Sequence, residues 1–529
     1  MKRKSIFING TIYTFQKKNR IEALAAENGV ITEVGSNAEL KSLARRGYKV
    51  IDLKGKCVIP GMIDSHLHML GLGNLFSRVN LDGIGSLDKV GKILKKAALK
   101  LKKDQWLRGR GWDKNLWGED FPDKSVLDNI TDNPIALNSK DGHLIWVNSA
   151  ALKICGITNR TADPSGGMIL KNSSGEPTGI LQENAVNLIT DKIPAQSYYE
   201  KMDAILAAQK HLLKLGIIGA GDCDTHPTLI SKYKELEKGG KLNLRIFKMI
   251  DPDDLDFAEK FNFRTGVGSE HFRTGCLKLF ADGALGSQTA YMFKPYIRTK
   301  GNVGIETLTP GQLDDLVSRA EKIGIAVATH AIGDKANFQV LQAYSKLSSR
   351  YSERGLRLRI EHAQILRKKD IPLFAKHGII ASMQPIHATS DRDISDRYLG
   401  ARGRYAYPFK TLLQSGATLA FGSDAPIETA DPFAGIHAAV TRKRAGESRK
   451  AWYPEEKLTV RQALRAYTAG AATACCYDDI TGDIAVGKRA DFAVISDDIF
   501  KIKPDKIHGV ENLATIIDGK IVYGRNNLR

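Results

Sequence analysis

The chain has 529 residues, of which 42% are hydrophobic, and a formal net charge of +19. This length predicts two to three domains or one large barrel with attachments, and no stretch reaches the roughly 18 apolar residues of a membrane helix. The basic runs, such as Lys95-Lys96 and Arg442-Lys443-Arg444, lack the interleaved aromatic residues on which single-stranded nucleic acids stack. They are typical of a solvated surface, so we expect neither a membrane nor a nucleic-acid partner. The positive net charge is also compatible with an acidic substrate.

The two ends of the chain share a pattern of short strands. Residues 1–57 and 476–529 contain short apolar and β-branched runs separated by Gly or Asn. The pairs Asn9-Gly10 and Asp518-Gly519 are typical of tight hairpin turns. We therefore expect one sheet assembled from both chain termini.

Two features bear on the cellular compartment. The first apolar run, Ile6–Ile8, ends at Asn9 before it reaches the length of a signal peptide. The six cysteines are scattered without a Cys-x-x-Cys pair, which is typical of reduced thiols. Both features predict a cytoplasmic protein.

Between the termini, apolar strand patterns alternate with amphipathic helical patterns. Cys276–Phe280 and Ala326–His330, for example, are separated by the helical stretch Gln312–Ile323. This alternation predicts an α/β fold with a parallel sheet covered by helices and, at this length, a TIM-like barrel over residues 58–475. Residues about 80–185 break the rhythm, so we interpret them as an insertion after the first barrel strand.

Metal-ligating residue types stand at the ends of the predicted barrel strands. His66 and His68 end the first strand, and residues two apart on a strand project to the same side. Two converging neutral imidazoles suit a divalent transition metal. In a parallel barrel, site residues come from the C-terminal ends of several strands. The later strands supply, in chain order, Lys278, His330, His362 and Asp424.

The motifs that carry these residues resemble those of the amidohydrolase superfamily. The likeness is to its amidohydrolase-3 branch, which includes N-substituted formamide deformylases, and it extends nearly from end to end. It rests on the segments Pro60–His68, Lys278–Ser287, Thr329–Asp334, Arg359–Ala363, Gly422–Pro426, Gly482–Ala493 and, inside the insertion, Arg110–Asp113 and Asp141–Ala150. The resemblance implies a (β/α)8 barrel with a β-sandwich built from both termini, which agrees with the pattern.

The resemblance also implies two divalent metals per chain. His66 and His68 would hold one metal, His330 and His362 the other, with Lys278 as an Nζ-carboxylated bridge. Desolvation favours the neutral amine of a lysine, which can add CO2 to give a carbamate with two oxygens for two cations. Zinc is the first candidate metal, and Fe, Mn or Ni suit the same ligands.

Asp424 is implied as a further metal ligand and as the general acid/base, which accepts the proton of the attacking water and passes it to the leaving nitrogen. We therefore predict a metal-dependent amidohydrolase that uses a metal-activated water to cut a non-peptide C–N bond (amide, N-formyl or N-acyl) of a small molecule. A mononuclear deaminase or cyclic-amidine hydrolase of the same superfamily is one alternative. A non-catalytic regulatory or nucleic-acid-binding protein is another. A homodimer is a hypothesis.

Four further residues are candidates for supporting roles. His143, Trp112 and Asp282 are candidates for substrate binding, and Asp334 for holding the imidazole of His330 through its second nitrogen. We interpret the remaining histidines as structural: His211, His226, His271, His377, His387, His437 and His508.

Overall fold

A computed structural model describes residues 3–81, 83–117, 121–139, 144–164, 167–225, 228–286 and 288–528. The chain divides into two compact units, one of Met1–Gly71 with Gln209–Arg529 and one of Leu72–Ala208. Within the described ranges, no helix combines the length and apolarity that a membrane crossing requires.

The secondary structure alternates as the sequence predicts. In chain order, the strands are β1 (Lys4–Ile8), β2 (Thr11–Tyr13), β3 (Arg20–Ile21), β4 (Ala23–Glu27), β5 (Val30–Gly35), β6 (Lys49–Asp52), β7 (Cys57–Pro60), β8 (Met62–Leu67), β9 (Val79–Asn80), β10 (Leu107–Trp112), β11 (Ile135–Ser139), β12 (Leu144–Val147), β13 (Gly167–Lys171), β14 (Pro177–Glu183), β15 (Ile217–Asp222), β16 (Arg245–Ile250), β17 (Phe272–Phe280), β18 (Val327–Ala331), β19 (Leu358–His362), β20 (Ile380–Met383), β21 (Leu419–Phe421), β22 (Phe492–Ile495), β23 (Asn512–Ile517) and β24 (Lys520–Tyr523).

The helices lie mainly between the strands of the middle region. In chain order, they are α1 (Asn37–Lys41), α2 (Met69–Ser77), α3 (Leu87–Ala98), α4 (Lys124–Asp128), α5 (Ser149–Ile154), α6 (Asn187–Thr190), α7 (Tyr198–Lys214), α8 (Thr228–Lys238), α9 (Leu255–Lys260), α10 (Pro310–Lys322), α11 (Asp334–Glu353), α12 (Ile371–Lys376), α13 (Pro385–Ser390), α14 (Arg392–Leu399), α15 (Phe409–Gln414), α16 (Pro432–Thr441), α17 (Val460–Arg465) and α18 (Ala471–Ala474).

Eight parallel strands form the sheet that positions the site. Their order is β8-β15-β16-β17-β18-β19-β20-β21. Every residue of β8, β15 and β16 is buried, as expected for parallel strands covered on both faces. Backbone hydrogen bonds from Asp424 N to His66 O (2.7 Å) and from His68 N to Ala425 O (2.8 Å) join the end of the last strand to the first. The sheet therefore confirms the predicted barrel.

Strands from the two termini combine beside the barrel. The six-stranded sheet β24-β23-β22-β7-β2-β3 pairs β22 antiparallel with β7, and Val494 lies opposite Val58. The four-stranded sheet β5-β4-β1-β6 packs against it through a shared apolar core, where the rings of Phe7 and Phe492 are 4.9 Å apart. The two facing sheets confirm the predicted β-sandwich.

The predicted hairpin at Asn9-Gly10 is wrong. Strand β1 pairs with β4 and β6, whereas β2 pairs with β3 and β7 in the other sheet. Asn9, at φ 58°, forms the corner where the chain passes between the sheets. The positive φ that Asn and Gly tolerate serves a corner as well as a hairpin. The Asp518-Gly519 turn does join a hairpin, that of β23 and β24.

The unit Leu72–Ala208 lies between β8 and β15 in the chain and is wider than the predicted 80–185. Its sheet has the order β13-β14-β12-β11-β10-β9. Trp112 packs in its core 6.1 Å from the ring of Trp146 and donates Nε1–H to Leu137 O at 2.7 Å. Trp112 is 1% exposed and belongs to the apolar core of this unit. Its predicted role in lining a substrate pocket stays a prediction.

Candidate metal centre

The barrel strands bring the predicted metal ligands to one cavity. His66 lies in β8 with His68 just after it, Lys278 and His330 lie in β17 and β18, His362 ends β19, and Asp424 follows β21. All six residues line a cavity of about 320 Å³ at the C-terminal ends of the strands. A second cavity of about 550 Å³ lies at the opposite ends, and its lining contains none of these six residues.

Three of these side chains form a compact group. The candidate ligand atoms of His66, His362 and Asp424 lie within 4.8 Å of one another, and all three residues are buried. His68 approaches the same carboxylate, since its Nε2 and that of His66 each lie 3.5 Å from Asp424 Oδ1. The ring of His330 is 4.5 Å from that of His362. The four imidazoles therefore surround one carboxylate-bearing corner of the cavity.

Two acidic residues hydrogen-bond to the Nδ1 atoms of the imidazoles of the first strand. Glu361 accepts a hydrogen bond from His66 Nδ1 and is itself held by Arg359 Nε at 2.8 Å. Asp224 accepts from His68 Nδ1 at 3.0 Å. Each contact fixes the ring orientation and directs Nε2 toward the cavity, as metal-binding histidines require. Neither acid was predicted as a site residue.

The protonation states fit a metal site. Burial lowers the pKa of His330 to about 3 and that of His362 well below its ordinary value, so both rings are neutral at physiological pH. Burial opposes ionisation of Asp424, but hydrogen bonds to His66 and His68 hold its pKa well below the ordinary range. His330 and His362 therefore offer neutral nitrogen ligands beside an ionised carboxylate.

Three further observations fit a divalent cation here. His362 Nδ1 is buried and has no hydrogen-bond partner among the described residues. The carboxylates of Asp224 and Asp424 raise the pKa of His68 to about 10 despite its burial, so a positive charge is favoured at this position. Bound metal commonly takes the place of such a proton. Lys278, 1% exposed, has no carboxylate within ion-pair distance in the described part of the chain.

Asp282 and Asp334 occupy other positions than predicted. The Asp282 carboxylate is buried and accepts backbone hydrogen bonds from Ile332 (3.0 Å) and Gly333 (2.7 Å). It holds the loop after β18 and is not part of the cavity lining, so its predicted contact with substrate is corrected. Asp334 accepts from Phe293 N at 2.9 Å. The described partners of His330 Nε2 are Gly283 O at 3.1 Å and Asp282 Oδ1 at 3.6 Å, so the Asp334 pairing is corrected too.

The structure adds one histidine, His387, to the residues that line the cavity. His387, interpreted from the sequence as structural, lines the cavity with Nε2 3.8 Å from Asp424 Oδ2. Its position four residues after β20 is the signal that could have revealed it, because strand ends at this edge carry the other site residues. His143 lies outside the described residues.

Comparison with known proteins agrees with this geometry. The sequence profile of the amidohydrolase family matches residues 49–523. The chain is 36% identical to the putative amidohydrolase YtcJ of Bacillus subtilis, covering 99% of this chain and 100% of that protein. It is 35% identical to Protein LONG AFTER FAR-RED 3 of Arabidopsis thaliana (97% and 91%) and 27% identical to the N-substituted formamide deformylase of Arthrobacter pascens (99% and 99%).

A solved structure extends the comparison to the fold. The crystal structure of an uncharacterized metal-dependent hydrolase from Pyrococcus furiosus is 30% identical in sequence and superposes with a TM-score of 0.79. It covers 94% of this chain and 100% of its own. Fold and sequence agree: the chain belongs to the amidohydrolase family and is a metal-dependent hydrolase of carbon–nitrogen bonds.

Proposed function

We propose that the protein hydrolyses a non-peptide amide-type bond, in an N-formyl or N-acyl compound. The observation that carries the proposal is the ionised Asp424 carboxylate among four imidazoles at the end of the barrel. The 27% identity to an N-substituted formamide deformylase over 99% of both chains supports the same bond type.

The cofactor that we propose is two divalent metals per chain, with zinc as the first candidate. We propose His66 and His68 for one metal, His330 and His362 for the other, and carboxylated Lys278 between them. When bound, the metals supply a water of pKa near 7 and polarise the carbonyl group. Glu361 and Asp224 hold the rings of the first pair and so orient these two ligands for a metal.

We assign proton transfer to Asp424. Its lowered pKa keeps it ionised, so it can accept the proton of the attacking water. It then gives that proton to the leaving nitrogen, because an amine anion is too poor a leaving group to depart unprotonated. The backbone hydrogen bond from Asp424 N to His66 O fixes its position relative to the first ligand strand.

The cavity walls favour an uncharged, partly apolar substrate. Phe280, Leu285, Ile332 and Ile427 line one part of the cavity, and Gln364 supplies a neutral amide. Lys278 is the lining's one basic side chain other than histidine among the described residues, and it belongs to the metal centre. We keep His143 as a candidate for substrate binding.

The direct test is a panel of N-formyl and N-acyl amines assayed for amine release with metal-loaded protein. We expect hydrolysis of N-substituted formamides with apolar substituents. Aminopurines and cyclic amidines in the same panel are expected to be inert. If the protein turned over only those compounds, the proposed reaction would be deamination and not amide hydrolysis.

A mononuclear deaminase or cyclic-amidine hydrolase is the second candidate. It is favoured by the compactness of the His66, His362 and Asp424 group, which could hold a single ion. Metal content separates the two proposals: after removal of loosely bound ions, we expect about two metals per chain, as in two-metal hydrolases. About one metal per chain would favour the mononuclear candidate.

Lys278 offers an independent test of the two-metal arrangement. We expect Lys278→Ala to bind at least one metal about 10–100-fold more weakly, because the proposed bridging carbamate is lost. Competition with a chelator measures this affinity, and added acetate is expected to restore part of it by supplying a carboxylate. Wild-type affinity for two metals in Lys278→Ala would contradict the bridge.

A further inference from the structure

His387 is held rigidly against the metal centre. It lies in the first turn of α13, which starts directly after β20. Its ring lies nearly parallel to that of His362, with the centroids 6.0 Å apart and 12° between the planes. The end of the helix is fixed through Asp391, which accepts hydrogen bonds from Gln364 Nε2 (3.0 Å) and Tyr407 OH (2.6 Å). The imidazole therefore occupies a fixed place in the cavity wall.

The ring nitrogen that faces the cavity has no partner. His387 Nε2 is buried and forms no hydrogen bond within the described ranges. Its nearest recorded acidic atom, Asp424 Oδ2, lies 3.8 Å away, which is too far for a hydrogen bond. An unsatisfied buried polar atom costs about 1–3 kcal/mol, so a ligand that satisfied it would gain affinity.

His387 also stands apart from the compact ligand group. The candidate ligand atoms of His66, His362 and Asp424 lie within 4.8 Å of one another, and His387 is not among them. When Nε2 carries a hydrogen, the imidazole is a donor aimed beside the carboxylate that handles the proton. The atom of an amide that needs such a donor is the carbonyl oxygen, on which negative charge develops as water adds.

We propose that His387 Nε2–H donates a hydrogen bond to the carbonyl oxygen of the substrate and thereby selects acyl compounds over amidines. This inference rests on the proposed amide hydrolysis and adds a catalytic residue to it. His387 keeps its proton throughout: the bond made at it is a hydrogen bond, and the transferred proton travels through Asp424. An amidine that is protonated at neutral pH presents only N–H donors at the corresponding position, which would oppose the imidazole N–H.

Steady-state kinetics of metal-loaded variants tests the contact. We expect His387→Ala to lower kcat by about 10²–10³-fold, the effect of removing one oxyanion donor, with KM changed far less and metal content unchanged. His387→Gln, which keeps a donor at similar reach, is expected to recover part of that loss. His377→Ala is the matched control, because His377 bonds Ser348 near the opposite ends of the strands.

A spectroscopic measurement observes the hydrogen bond without turnover. The carbonyl stretch of a 13C-labelled N-formyl amine is recorded bound to metal-loaded Asp424→Asn protein, with and without His387→Ala. We expect a lower stretching frequency when His387 is present. Equal frequencies, or a His387→Ala enzyme with wild-type kcat, would overturn the inference while amide hydrolysis by the wild type still stood. A wild type that hydrolyses no amide would overturn the proposed function and this inference together.

Discussion

Replacing Asp424 with Asn is expected to lower kcat by about 10²–10⁴-fold, the usual contribution of a general acid/base. Asn has nearly the same shape but cannot accept the proton of the attacking water. Its amide oxygen can still face the Nε2 atoms of His66 and His68, which lie 3.5 Å from Asp424 Oδ1. We therefore expect metal content to stay at the wild-type level. Amine release and elemental analysis of the same sample measure both quantities.

The matched control for this variant is Asp431→Asn. Asp431 caps the N-terminus of α16 by accepting a hydrogen bond from Phe433 N, and Asn caps equally well. Its kcat should equal that of the wild type. Asp424→Asn with near-normal kcat would contradict the proton-transfer role. Loss of metal in proportion to activity would assign Asp424 to metal binding alone.

The second large effect is expected at Arg359, which supports the site from inside the barrel. Arg359 and Glu361 are both fully buried and form an ion pair at 2.8 Å, and Glu361 in turn holds His66. Arg359→Met leaves the carboxylate buried without its guanidinium partner. We expect the free energy of unfolding to fall by about 3–5 kcal/mol, measured by chemical denaturation of the chelated protein.

Two further variants make this prediction specific. Replacing both partners, Arg359→Met with Glu361→Leu, removes both buried charges and is expected to regain part of the lost stability. Arg357→Met breaks a partly exposed pair with Asp478 and should cost about 1 kcal/mol or less. If Arg359→Met cost no more than Arg357→Met, the ion pair would not stabilise the fold.

The sequence predicted the barrel and its ligand edge because both follow from local patterns. Buried parallel strands appear as short apolar runs, and a ligand-type residue at the end of each run marks the C-terminal edge. The pattern alone therefore predicts one shared site for His66, Lys278, His330, His362 and Asp424, and all five line one cavity.

The residues that the sequence analysis missed or assigned to another role depend on contacts that local patterns do not encode. Glu361 and Asp224 matter because of which imidazole each one meets in space. His387 lies in a helix that begins at Pro385, so the sequence pattern does not show that it is close to a strand end. Trp112 looks the same in a sequence whether it lines a pocket or packs a core. Asn9-Gly10 permits a positive φ, which a corner and a hairpin both use.

The most direct test of the metal-dependent amide hydrolase is a metal titration of chelated protein with an N-formyl amine as substrate. We predict that amine release is absent before zinc is added, rises with each increment and reaches its plateau at about two equivalents per chain. Amine release that is unaffected by chelation, or no amine release from the panel at any zinc level, would contradict this account of the site.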